Sequence, residues 1–94
     1  MEADKYLPIG TVVLLKGAEK KAMITSYLVR NNRVKEDIFD YGGVPYPEGV
    51  INSNAIIMFD HSQISKVVFK GLEDDEEKNF VSKLDETRAE ATRD

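Results

Sequence analysis

The chain has no cysteine, so disulfide bonds, thiolate chemistry and cysteine-ligated zinc are excluded for its 94 residues. It lacks any apolar run near the roughly 20 residues that a membrane-crossing helix needs. Met1 is followed by Glu2, Ala3 and Asp4, unlike the basic start of a secretory signal. These absences point to a cytoplasmic protein with no membrane association. Histidine occurs once, at His61. Its neighbours Asp60 and Ser62 do not supply a hydrolytic triad, because adjacent residues do not normally reach that geometry and nothing announces an oxyanion site. The chain is therefore expected not to be an enzyme, and residues 60–63 read as a polar turn.

Two further patterns are missing. The acidic run Glu73, Asp74, Asp75, Glu76, Glu77 has neither the alternating ligands nor the central glycine of a calcium loop, so no metal is expected. Lys20, Lys21, Arg30, Arg33 and Lys35 could gather into a small basic patch, but the net charge is −4 and no aromatic platform interleaves with them. Nucleic acid is not expected as a partner. No cofactor is implied.

What is present is a composition typical of globular chains, 41% hydrophobic and 32% charged, and a length suited to one domain. The charge is divided unevenly. Residues 73–94 carry nine acidic and four basic side chains, a net charge of −5, whereas residues 1–72 sum to +1. The division predicts a β-rich module over residues 6–71 and an acidic C-terminal helix over 72–94, within a single domain spanning 1–94.

Pro8 and Gly10 mark an opening turn. Five apolar or alternating runs then read as strands, at residues 11–16, 21–30, 38–41, 55–59 and 66–70. Residues 31–37 read as a polar turn. In the tail, Asp74 or Asp75 is placed to cap a helix whose positive end suits Glu76 and Glu77. Phe80, Val81 and Leu84 form its apolar stripe, with packing expected to centre on Phe80 and Leu84. Beyond Leu84 only Ala89 and Ala91 are apolar, so the last turns are expected to fray.

Several strands are apolar on both faces, as in Val12 and Leu14 against Val13 and Leu15, or Ile56 and Met58 against Ile57 and Phe59. A sheet with one wet face does not produce this pattern. Either the sheet curls on itself with the helix over an opening, or a partner covers the remainder. The expected fold is α+β: a small curled antiparallel sheet of about five strands, an SH3-like barrel, with a C-terminal α-helix.

Residues 41–49 hold two tyrosines, two prolines and three glycines. Prolines pre-order a loop, and tyrosines offer wide contact area at low entropic cost. Tyr41, Val44, Tyr46, Pro47 and Glu48 are the candidate partner-binding residues, although the same segment could equally be a set of turns with Tyr46 packed over the sheet edge.

The opening motif from Leu7 to Gly17, the run Lys20-Lys21-Ala22-Met23-Ile24 and the motif Tyr41-Gly42-Gly43-Val44-Pro45-Tyr46-Pro47-Glu48-Gly49 occur in that order. Together they resemble a small family of domains of unknown function from Gram-positive bacteria. Its members are commonly encoded beside type VII secretion genes and their LXG or WXG-type substrates. Ala18 stands where the family pattern suggests a second glycine after Gly17. The resemblance implies a cytosolic accessory protein of type VII secretion, a chaperone or targeting partner for a secreted toxin or effector. An immunity protein that neutralises a cognate toxin is the alternative, since such proteins are also small and acidic.

Overall fold

The computed structural model describes residues 6–30, 38–52 and 55–87. The polar turn expected at residues 31–37, the basic side chains Arg33 and Lys35, and the fraying expected around Ala89 and Ala91 lie outside the described residues. Five strands form one antiparallel sheet: β1 (Val12–Leu15), β2 (Lys21–Arg30), β3 (Ile38–Pro45), β4 (Ile57–Phe59) and β5 (Ile64–Phe69). A seven-residue helix, α1 (Asp75–Val81), follows, with a further helical turn at residues 84–87.

The strand order is β4-β3-β2-β1-β5, so the chain passes from one edge of the sheet to the other between Phe59 and Ile64. Five Cα steps reach at most about 18 Å. Four strand spacings in a flat sheet need about 19 Å. The connection is shorter still, because His61–Gln63 is a 3-10 turn rising only about 2 Å per residue. The sheet therefore curls strongly at this end.

It does not close. Among the described residues β4 pairs only with β3, over three residues, and β5 pairs only with β1. The expected SH3-like barrel is thus corrected to an open, curled sheet, because a three-residue β4 presents too little ladder to join β5. Segments outside the sheet cover the concave face instead. Tyr6, Val81 and Leu84 pack there against Val13, Ala22, Ile24, Tyr41 and Phe59, all under 10% exposed. Full burial of each large apolar side chain contributes about 1.5–3 kcal/mol.

Three local details depart from the sequence expectation. The third strand runs past Tyr41 through Gly42, Gly43 and Val44 to Pro45, where a loop was expected. Pro45 is tolerated because the Tyr46 amide donates to Lys21 O at 2.9 Å, so strand alternation turns the nitrogen of Pro45 away from β2. On that other side β4 has already ended, its last pairing being Gly43 with Ile57, and no ladder bond is lost.

The helix stripe is rotated by one position. Val81 and Leu84, three apart, face the core, while Phe80 lies about 100° round the helix and is 58% exposed, its ring 5.9 Å from that of Tyr27. Packing centres on Val81 and Leu84, not Phe80. At the helix start Asp74 Oδ1 accepts the Glu77 amide at 2.9 Å.

Finally, β2 is irregular. Its register with β3 shifts between Ile24 and Ser26, and Leu28 has φ 52°. Gly42 lies opposite this bulge, and a Cβ there would strike the Ser26 hydroxyl and approach Val29 Cγ2 to 2.6 Å.

Candidate functional site

The concave face is filled, so the chain's remaining apolar surface lies elsewhere. Strand pairing sets Val44 opposite Met23, Met23 opposite Val12, and Val12 opposite Phe69. Directly paired residues share a face. These four side chains therefore make one apolar row across β3, β2, β1 and β5 on the convex face. The row is buried at one end and open at the other, with Val44 2%, Val12 7% and Phe69 63% exposed. A register shift between Val12 and Val13 adds Val68 to the open end.

Tyr46 completes this surface. With Gly10, Val12, Lys21, Met23, Val68 and Phe69 it lines a depression of about 540 Å³. The loop that carries it is tied at several points: Tyr46 N–H donates to Lys21 O, Gly49 N–H donates to Pro45 O at 2.7 Å, and Gly49 takes φ 78°. The Lys20 ammonium donates to the Glu48 carboxylate at 2.7 Å, which holds the Glu48 carboxyl below its usual range and ties the loop to the β1–β2 turn. Tyr46 is thus an exposed aromatic on an ordered support.

Of the five residues that the sequence nominated, three present side chains to solvent: Tyr46, Pro47 and Glu48. Val44 is the buried end of the convex row. Tyr41 points the other way, into the concave core, with no exposed surface. Its hydroxyl accepts the Leu7 amide at 2.9 Å and lies 2.7 Å from His61 Nδ1. The Tyr27 hydroxyl donates to Leu7 O at 2.5 Å. Burial raises the pKa of both phenols, that of Tyr27 to about 12.

His61 is held from behind. Its amide donates to Asp40 Oδ2 at 2.8 Å, and the Asp40 amide donates to Asp60 Oδ1 at 3.0 Å. Gln63 Oε1 accepts the Asp60 amide at 2.8 Å. The histidine and its flanking aspartate thus fasten the crossing turn to β3. Among the described residues no three histidine, aspartate or glutamate side chains converge as metal ligands, and no helix is long and apolar enough to cross a membrane.

Phe69, Met23 and Val68 were not singled out in the sequence, yet they build the depression beside Tyr46. The signal for them was present in strands apolar on both faces. It takes the register to show which second-face residues stay open.

No curated protein and no solved structure matches the chain. The model of the family described as a domain of unknown function (DUF4176) matches residues 6–80, from the buried Tyr6 to Phe80 on α1, and the chain belongs to that family.

Proposed function

We propose that this domain is a protein-binding module, acting in the cytoplasm as a chaperone or targeting partner for a secreted toxin or effector of a type VII system. The observation that carries the reading is the convex apolar row ending in exposed Phe69, Val68 and Tyr46. Exposed aromatic anchors on an ordered support suit a partner interface, where a few such residues supply most of the affinity. The identity of the partner class comes from the motif resemblance in the opening, Lys20–Ile24 and Tyr41–Gly49 segments.

Co-expression with a secreted LXG- or WXG-type effector tests the proposal. A stable complex that is lost in Tyr46→Ala and Phe69→Ala is expected. Failure of the purified partners to associate at micromolar concentration would refute it. An immunity role is the second reading, favoured by the acidic start of α1, which suits a basic toxin through electrostatic steering. Rescue of cells expressing the toxin separates the two, since an export partner need not protect.

A further inference from the structure

A second apolar surface lies between α1 and the irregular half of β2. It is a groove of about 960 Å³ whose apolar lining comes from Ile9, Tyr27, Leu28, Leu72, Phe80 and Leu84. Leu72 is 74% exposed. The charged residues facing the groove are Asp74, Glu76 and Glu77 against the single cation Lys83. Partial burial, together with the charges of Glu73 and Asp74, raises the Glu77 carboxyl pKa. The rim is thus a crowded anionic field beside an apolar floor.

We infer that this groove docks an amphipathic helical segment of another protein, apolar on one face and flanked by lysine or arginine. Charge complementarity selects that occupant. A second copy of this chain, at net −4, would bring acid against acid. A small ligand would call for convergent polar groups on the floor, where apolar side chains dominate. An added strand would need a regular free edge. The described β1–β2 pairing ends at Met23, so residues 25–30 of β2 do present an edge on the groove side. That edge is broken by the register shift after Ile24 and by Leu28 at φ 52°. Such irregularities obstruct ladder pairing. Side-chain docking of a helix face needs no ladder. The inference is separate from the convex Tyr46 and Phe69 surface, and either can fail alone.

The full chain, isotopically labelled, is titrated with three synthetic peptides of about 18 residues. One has leucines at helical i, i+3, i+4, i+7 spacing with flanking lysines. The second replaces lysine by glutamate, and the third scrambles the first. The leucine–lysine peptide should shift Leu72, Leu28 and Phe80 and bind roughly tenfold or more tightly than either control, with affinity falling as salt rises. Leu72→Ser, and separately Glu76→Lys with Glu77→Lys, should each weaken it by roughly tenfold, while Tyr46→Ala leaves it unchanged. Leu72 is exposed, so its substitution tests the groove without threatening the fold. Equal binding of the three peptides overturns the inference. So do shifts centred on Phe69 and Tyr46, a ladder-like pattern along residues 25–30, or insensitivity to Leu72→Ser.

Discussion

The Tyr41 hydroxyl lies 2.7 Å from His61 Nδ1 while also accepting the Leu7 amide, and so joins the N-terminal segment, the middle of β3 and the crossing turn at one buried point. Tyr41→Phe should therefore destabilise the fold by about 1–3 kcal/mol, since it strands the buried Leu7 amide and removes the hydroxyl beside His61 Nδ1. Urea unfolding measures this. A loss below about 0.5 kcal/mol would show that the junction contributes little beyond the ring's packing.

The same buried phenols predict an alkaline limit to stability. Tyr27 shifts from the usual 10 to about 12 and Tyr41 is also raised, chiefly by burial. A group whose pKa is raised on folding contributes fully below its unfolded pKa and loses that contribution as pH climbs through the folded value. The contribution of these phenols to the melting temperature should thus be constant below pH about 10 and be lost progressively as pH rises above it. Tyr27→Phe should make that fall shallower, and an unchanged slope in thermal melts would contradict the assignment.

Much of the sheet was legible because β-branched runs bounded by turn residues mark strands, and all five occur where such runs lie. Closure was not legible. It depended on how much of residues 55–59 would pair, and β4 spans only Ile57–Phe59. The proline at 45 argued for a loop because its missing donor is costly in a paired strand, and sequence does not show that the adjoining strand has already ended. Tyr41 and Tyr46 share one motif, yet one is buried and the other exposed. Their separation follows from strand alternation through Pro45 and the turn beyond it, and from a histidine 20 residues away that gives the Tyr41 hydroxyl a partner.

Close backbone approach makes a sharper test of the packing. At Gly43 a Cβ would lie 2.6 Å from Met23 O, and at Gly71 it would strike Ile9 O. Those obstacles are main chain, whereas those at Gly42 are the side chains of Ser26, Val29 and Ile56, which can rotate. Gly43→Ala and Gly71→Ala should each cost more than Gly42→Ala, by at least about 1 kcal/mol. Equilibrium denaturation of the three variants gives the order, and a reversed order would mean that the bulge in β2 is the stiffer element.

The helix start supplies another. Asp74 accepts the Glu77 amide and sits beside Asp75, Glu76 and Glu77 in the first turn. Asp74→Ala should cost about 1 kcal/mol through the lost cap, and Asp74→Asn should recover most of it because the amide oxygen can still accept. Hydrogen exchange at the Glu77 amide reports the cap directly. Equal exchange in wild type and Asp74→Ala would rule it out.

Convex-face substitutions separate recognition from folding. Tyr46 and Phe69 are 45% and 63% exposed, so truncating either to alanine should change stability by less than about 1 kcal/mol. Both flank one depression over Val12 and Met23, and the loss of such an anchor from an interface typically costs about 2 kcal/mol or more of binding. Lys66 and Lys70 lie on or just beyond β5, and their exposed charges should matter far less to affinity. Binding of the proposed effector partner to Tyr46→Ala, Phe69→Ala, Lys66→Ala and Lys70→Ala, each confirmed folded, should therefore split into two weakened and two near-normal variants. If the lysine variants lose more affinity than the aromatic ones, contact is governed by the charged edge of β5 and the apolar row is merely packing. If Tyr46→Ala unfolds the domain, the loop from β3 serves to brace the sheet through Met23 and Val12.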